Sequence, residues 1–185
     1  ADVAVVSPGS AGATGQHLTV STGGPVWHRT PYIDAGHPRW GITGNGTTDD
    51  RLAIQAMFNT VTGPTTVYFP KPTVAYHLGA GGTHVSLPSN VTVTGSGAKF
   101  TTAGAGCRMF RTNGSDNVTI QGLTFDGDDG TITRSGRALQ IDGGSTRVTV
   151  RDCFFQDIGN IGLVVTFAED VLGAFTAPAY AAPSS

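Results

Sequence analysis

Charged residues are scarce in this chain. They make up 13% of its 185 residues, and Glu169 is its one glutamate. Eleven basic and 13 acidic residues leave a net charge of -2, so no broad electrostatic attraction to nucleic acid or to anionic membranes is expected. No apolar run approaches the ~20 residues that span a bilayer. The sequence therefore predicts neither a nucleic-acid partner nor membrane insertion.

Cysteine is equally rare. Cys107 and Cys153 have no CxxC spacing, and two cysteines are far from a disulfide framework, so we expect two buried free thiols. The first residues, "ADVAVVSPGSAGATG", lack a basic segment followed by an apolar core, and they therefore do not resemble a signal peptide.

Glycine (27 residues), threonine and valine are abundant, which favours strands and turns. One stretch has a helical pattern. Residues 49–61 carry Ile54, Met57, Phe58 and Val61 at i, i+3, i+4 and i+7. Leu52 and Ala56 are assigned to the same apolar stripe, and Thr48 or Asp49 is the expected N-cap.

The most informative pattern is a repeat. Residues 117–127, "NVTIQGLTFDG", align without a gap with residues 147–157, "RVTVRDCFFQD". In both copies apolar and polar residues alternate, and this alternation shifts by one residue (a change of parity) at one dipeptide, Gln121-Gly122 or Arg151-Asp152. Such a change would turn half of a straight strand out of the core, so we predict a corner there. "NVTVTGSGAKF" (90–100) is an earlier copy with two extra residues at the corner. The side chains expected to point inward are Val118, Ile120, Leu123, Phe125, Val148, Val150, Cys153 and Phe155.

Repeat starts 27 and 30 residues apart, with short strands and sharp corners, are typical of a solenoid. Further alternating segments at 107–112, 137–142 and 161–167 fit the same scheme. The leucine ladder of leucine-rich repeats is absent, and an immunoglobulin-like sandwich would not repeat the parity change. The prediction is an all-β parallel β-helix.

A family resemblance is found in three stretches of the sequence: residues 40–58, "WGITGNGTTDDRLAIQAMF", then "TTVYFPKPTVAYHL" and "LPSNVTVTGSGA". They resemble the start of the pectate-lyase-like, right-handed parallel β-helix superfamily, which includes polysaccharide lyases, glycoside hydrolases and bacteriophage tailspikes. The shared features are the Gly44-Asn45-Gly46 loop, Thr47 to Asp50, Ala53-Ile54-Gln55, "VYFP" at 67–70 and the repeat, and they cover about residues 40–166. The sequence departs after Pro70, where "KPTVAY" replaces Pro-x-Gly-Thr-Tyr.

The resemblance implies four segments. Residues 1–39 would be an extended attachment arm, 40–62 a glycine loop and a helix capping the solenoid, 63–167 the coils, and 168–185 a flexible tail or the start of a continuation. A phosphate-binding loop is a poor alternative for residues 41–55, because it would end in Gly-Lys-Ser/Thr and there is no lysine before Lys71.

Candidate catalytic or ligand-binding carboxylates are Asp126, Asp128, Asp129 and Asp152, although turn roles fit each of them. "FDGDDGT" lacks the spacing of a calcium loop, and the five histidines form no HxH or HExxH motif. No metal or cofactor is therefore expected. The arginines of the coil region make it mildly basic, which is typical of a solvated solenoid face but would also suit an acidic glycan.

Residues 63–167 suffice for about four coils, a column only ~20 Å tall at ~4.8 Å per coil. Catalytic grooves on this fold extend along longer columns. The favoured hypothesis is a structural, host-attachment component of a bacteriophage virion: a tailspike, tail fibre or surface spike. It would be a homotrimer, attached to other virion proteins by residues 1–39 and in contact with host-surface polysaccharide. The alternatives are a carbohydrate-active enzyme (a lyase or hydrolase) whose catalytic coils lie mostly outside this chain, and a secreted bacterial surface protein.

Overall fold

A computed structural model describes most of the chain. The described residues are 16–21, 24–29, 31–79, 84–102, 108–127, 137–158 and 161–166. Cys107, Asp128, Asp129 and the predicted tail lie outside them.

The described elements are mainly short strands. One α-helix, α1, spans Arg51–Phe58, and a 3-10 helix spans Pro38–Trp40. The strands are β1 (Gln16–Ser21), β2 (Gly24–Arg29), β3 (Tyr32–Asp34), β4 (Asn45–Asp49), β5 (Thr65–Phe69), β6 (Ala75–His77), β7 (Val85–Ser86), β8 (Val91–Thr101), β9 (Arg108–Asn113), β10 (Asp116–Asp126), β11 (Arg137–Asp142), β12 (Thr146–Arg151), β13 (Phe154–Gln156) and β14 (Ile161–Val165).

Strands β3 to β14 form a parallel β-solenoid of about four turns, as the repeat predicts. Each turn adds one strand to each of three rows. The first row is β3, β5, the first half of β8, the first half of β10, and β12. The second row is β4, β6, the second halves of β8 and β10, and β13. The third row is β7, β9, β11 and β14.

The register of the strands confirms the repeat. Val118 pairs with Val148, Ile120 with Val150, and Phe125 with Phe155. The earlier copy also stacks as predicted: β8 and β10 pair on both sides of the corner, with two extra residues in β8 between the two halves.

The corners depend on left-handed backbone conformations. Gly122 has φ +67° and Asp152, at the equivalent position one turn later, has φ +53°. A residue in the left-handed conformation turns the chain sharply. The apolar positions before and after the corner can therefore differ in parity and still face one core. A Cβ at Gly122 would also collide with the carbonyl oxygen of Gly95 on the neighbouring turn, so this corner requires glycine.

The core is a column of apolar side chains built up turn by turn. The rings of Phe100, Phe125 and Phe155 stack in sequence, with centroids 5.9 and 5.2 Å apart. Of the eight side chains predicted to point inward, Val118, Ile120, Leu123 and Phe125 are fully buried. Their equivalents one turn later, Val148, Val150, Cys153 and Phe155, are partly buried and pack against the core. Burial raises the pKa of the Cys153 thiol, which is free.

Helix α1 is shorter than the predicted 49–61. Ile54, Met57 and Phe58 are buried as expected, but Leu52, which we assigned to the apolar stripe, has 66% of its surface exposed. Ala56 is exposed as well. The predicted apolar stripe was too wide, because only a narrow face of the helix contacts β7 and the rings of Phe69 and Phe110.

The N-cap prediction was also wrong. The N-cap is Asp50, whose side chain makes no capping bond, while Asp49 Oδ1 accepts the N–H of Arg51. Among the described residues, no helix is long and apolar enough to cross a membrane.

Strand pairing reaches further toward the N-terminus than the sequence indicates. β3, which we grouped with the arm, pairs in parallel with β5, and β4, which we treated as loop, pairs with β6. Before them, β1 and β2 form an antiparallel pair.

Candidate functional site

The glycine loop is held by the buried carboxylate of Asp50. Its Oδ1 accepts the Thr43 N–H at 2.7 Å and the Thr43 hydroxyl at 2.9 Å, and its Oδ2 accepts the Gly44 N–H at 3.0 Å. Asn45 Oδ1 accepts the N–H groups of Thr47 and Thr48. A phosphate loop needs such backbone donors free for its ligand. Here they are used within the chain, so the loop's arrangement is structural.

A line of polar side chains crosses the second row at one ladder position. Asp49 pairs with His77, His77 with Thr101, Thr101 with Asp126, and Asp126 with Gln156. We call these five residues the polar row. Because parallel strands in register place equivalent side chains one above another, the polar row follows the column from its first described turn to its last.

Asp126 is the best anchored member of the polar row. It is only 6% exposed, and its Oδ2 accepts hydrogen bonds from Lys99 Nζ at 3.0 Å and Gln156 Nε2 at 2.7 Å. One turn earlier, the Thr101 hydroxyl lies 3.4 Å from Nδ1 of His77. A carboxylate shared between an ammonium and an amide has its charge offset and its orientation fixed. This arrangement suits hydrogen bonding to a polar ligand better than proton transfer.

The spacing of the carboxylates in the polar row argues against glycoside hydrolysis there. Asp49 and Asp126 are three strand spacings apart, roughly 14 Å at ~4.8 Å per strand. Glycosidases place their two carboxyl groups about 5 to 9.5 Å apart. The polar row alone therefore provides no acid and nucleophile, or acid and base, at a working distance.

Asp126 and Asp152, the two sequence candidates within the described residues, occupy different positions in the solenoid. Asp126 lies in the polar row, whereas Asp152 is an exposed corner residue with φ +53°. Asp128 and Asp129 lie outside the described residues. Within those residues, no group of three His, Cys, Asp or Glu side chains is placed to hold a metal ion.

Sequence reasoning did not single out a third buried carboxylate. Asp142, on β11, receives three hydrogen bonds from Arg111 at 2.7 to 2.9 Å and one from Gln140 at 2.6 Å. The bond to Asp142 raises the pKa of the Arg111 guanidinium. The two residues are 31 apart, close to the repeat length, and that spacing was the signal that could have paired them.

Comparison with known proteins supports the fold. No protein-family model and no curated protein matches the chain. Among solved structures, ORF18 of Geobacillus virus E2 superposes with a TM-score of 0.52 at 16% identity, over 76% of this chain and 32% of that one. The A-module of the Azotobacter vinelandii mannuronan C-5 epimerase AlgE6 superposes with a TM-score of 0.49 at 20% identity, over 72% of this chain and 41% of that one.

The similarity to ORF18 shows a shared parallel β-helix fold. The chain corresponds to about a third of the length of the phage protein and about two fifths of the epimerase module. At this identity the similarity shows the fold alone, and it favours neither functional hypothesis.

Proposed function

We propose that this chain is a structural, host-attachment component of a bacteriophage virion, whose short parallel β-helix presents the polar row to host-surface polysaccharide. The observation that carries the proposal is the fixed pair of donors around Asp126: its buried carboxylate holds the Lys99 ammonium and the Gln156 amide in place, and those two side chains are only partly buried and can reach a ligand. Polar groups held rigidly along a column can hydrogen-bond successive sugar hydroxyls without cleaving the chain. The fold of the phage protein ORF18 is consistent with a location on the virion.

The proposal includes the pectate-lyase-like type of β-helix and a capping role for α1. Helix α1 contacts β7, the first strand of the third row, and the amide of Gln55 hydrogen-bonds the backbone of Ser86 there. An uncovered first turn would expose backbone groups and core side chains to other chains. Of the residues 1–39 grouped as an arm, β3 belongs to the first row, and the residues before it would lie beyond the cap, available to other virion proteins.

Binding of surface polysaccharide by the full chain tests the proposal. Capsular and lipopolysaccharide preparations from candidate host strains would be immobilised and binding measured by interferometry. Gln156→Ala removes a side chain of the polar row that can hydrogen-bond a sugar hydroxyl, and we expect it to weaken binding about ten-fold, the loss of about one hydrogen bond to the ligand. Gln121→Ala is the matched control, because Gln121 lies in the first row and bonds Thr94 and Arg151. Equal losses in the two variants would contradict a role for the polar row.

A carbohydrate-active enzyme is the second candidate. The observation in its favour is that His77 and Lys99, two side chains able to accept or donate protons, lie in or beside the polar row. A lyase would need such a base together with carboxylates that bind calcium. We expect this chain alone neither to bind calcium tightly nor to depolymerise polysaccharide. Calorimetry with calcium and an assay for unsaturated sugar products test this, and micromolar calcium affinity or product formation would favour the enzyme.

A further inference from the structure

Cationic side chains gather where α1 meets the third row of strands. Arg51 is one helical turn before Gln55, on the same face of α1, and Gln55 is bonded to Ser86 of β7. His84 is two residues before Ser86, and Arg108 begins β9, the strand that pairs with β7. We call Arg51, His84 and Arg108 the basic cluster.

The members of the basic cluster act on one another electrostatically. Burial lowers the pKa of His84, and the charges of Arg111, Arg108 and Arg51 lower it further, against an opposing effect of Asp142. Three guanidinium groups from α1 and β9 are therefore close enough to His84 to disfavour its protonated form. Of the three, Arg111 is neutralised by its bidentate pair with Asp142.

The charges of the other two arginines are poorly compensated. Within the described part of the chain, Arg108 makes no hydrogen bond or ion pair, although it is half-buried. Its ladder partner on the next turn is Arg137, a like charge in direct register. Arg51 Nη2 lies 3.8 Å from the nearest oxygen of Asp49, too far for a hydrogen bond.

Two polar atoms in the basic cluster are also buried and have no hydrogen-bond partner among the described residues. They are Nε of Arg51 and Nδ1 of His84. Like charges in register and unsatisfied buried polar atoms each cost free energy, and native proteins rarely combine them without compensation. A bound anion would supply that compensation, since it offsets the guanidinium charges and accepts hydrogen bonds.

We propose that the basic cluster binds a small oxyanion, a carboxylate or phosphate group, between α1 and the start of β9. Guanidinium groups match both anions because their planar N–H forks bond two oxygens at once. Asp49 and Asp142 flank the cluster, so its excess positive charge is small and fits one oxyanion group rather than a polyanion. The site lies beside the third row and shares only Asp49 with the polar row, and it does not depend on the proposed function.

Binding at this site is coupled to the protonation of His84. The charged groups that face His84 are Arg51 from α1, Arg108 and Arg111 from β9, and Asp142 from β11. An anion among them favours imidazolium, so it raises the pKa of His84. By linkage, anion affinity rises as the pH falls through the pKa of His84 in the complex.

Nuclear magnetic resonance of the full chain tests the site. Sodium glucuronate and inorganic phosphate are the two probes, glucose is the uncharged control, and His84→Asn assigns the His84 ring signal. We expect the signal to move with millimolar glucuronate, phosphate or both, and to be insensitive to glucose. A response to one probe identifies the source of the oxyanion as a carboxylate or a phosphate.

Arginine variants separate a defined site from a general effect of charge. Arg108→Gln should weaken anion binding at least about ten-fold, the loss of one charge-assisted contact. Arg151→Gln removes the same charge from an exposed position of the first row and should change affinity less than about two-fold. Arg51→Gln is the second test variant, used if thermal melting shows that Arg108→Gln is not folded. The proposal is overturned if neither anion shifts the His84 signal, or if Arg151→Gln weakens binding as much as the cluster variants do.

Discussion

The side-chain amide of Gln55 pairs with both backbone polar groups of Ser86. Gln55 Oε1 accepts the Ser86 N–H at 2.7 Å, and Gln55 Nε2 donates to the Ser86 carbonyl oxygen at 3.2 Å. Ser86 lies in β7, the first strand of the third row, whose other edge pairs with β9. The amide therefore makes the two bonds that a neighbouring strand would otherwise provide.

Replacing Gln55 by leucine should destabilise the chain by about 1–3 kcal/mol, because the N–H and C=O of Ser86 lose their partners in a partly buried place. Chemical denaturation of the full chain measures this change. Gln121→Leu is the control, since Gln121 bonds only side chains in the described residues, and it should change stability by less than about 1 kcal/mol. Equal stabilities for Gln55→Leu and the unmodified chain would contradict the capping role of α1.

Two aspartate substitutions on α1 test which face of the helix is covered. Ile54 is fully buried, so Ile54→Asp places an unpaired charge in the core and should cost more than about 3 kcal/mol. Leu52→Asp, two residues away, should be nearly neutral because Leu52 is exposed. Thermal melting distinguishes them. If Ile54→Asp melts like the unmodified chain, α1 does not cover the first turn.

Three phenylalanines differ in burial, so their replacement by alanine should destabilise the chain by different amounts. Phe125→Ala should cost about 3–5 kcal/mol, because the ring is fully buried between Phe100 and Phe155. The sequence predicts that Phe155 points inward like Phe125, but its ring is only partly buried, so Phe155→Ala should cost less. Phe154→Ala is the control, since that ring is 59% exposed. Denaturation midpoints that fail to follow this order would contradict the stacking of the turns.

The sequence predicted the stacking of the turns better than the candidate site. Paired parity changes at Gln121-Gly122 and Arg151-Asp152 encode the register, because a corner is the only way to keep both halves of each copy in the core. The polar row was missed because its members are unequally spaced: Thr101 and Asp126 are 25 residues apart, whereas Asp126 and Gln156 are 30 apart. Two of those five residues are the extra ones at the β8 corner, and the other three come from the longer repeat that follows, 30 residues instead of 27.

The anchoring of the glycine loop was missed for another reason. The carboxylate of Asp50 turns back to Thr43 and Gly44 instead of capping α1, and sequence patterns for helix starts do not distinguish these two uses. The exposure of Leu52 is similar, because hydrophobicity alone does not set the width of the contact between α1 and β7.

One turn of the solenoid offers a stabilising substitution. Asn90, Asn117 and Arg147 precede the first-row strands at equivalent positions, and all three have φ between +50° and +56°. Asn117 Nδ2 donates to Asn90 Oδ1 at 3.1 Å, so the asparagines form a short ladder that stops at Arg147. Asparagine tolerates the left-handed conformation better than arginine, and the ion pair of Arg147 with Asp116 is largely exposed.

Arg147→Asn should therefore stabilise the chain by up to ~1 kcal/mol. Arg147→Ala loses the same ion pair without extending the ladder, so it should be less stable than Arg147→Asn. Differential scanning calorimetry compares the two variants. A lower melting temperature for Arg147→Asn than for Arg147→Ala would contradict this account.

The last described turn leaves apolar surface exposed. Phe154, Ile161, Leu163 and Val165 are all more than a third exposed there, and β12, β13 and β14 each pair with a strand on one side only within the described residues. Such an end can be covered by a further turn or by another chain. End-to-end contact that joins the last turn of one chain to the first turn of the next continues without closing, whereas side-by-side packing about a three-fold axis closes at three chains.

From the resemblance to bacteriophage tailspikes we expect a closed homotrimer packed side by side, an arrangement that leaves the exposed end to be covered by a further turn. Light scattering should give a discrete mass of three times the 19.0 kDa chain, independent of concentration. Leu163→Lys, at the exposed end, should leave that mass unchanged, because lateral packing does not involve the last turn. A mass series that grows with concentration and disappears in Leu163→Lys would instead indicate end-to-end association. A single-chain mass at all concentrations would contradict the trimer, and the arm at residues 1–39 would then be the first segment to test for assembly on a virion partner.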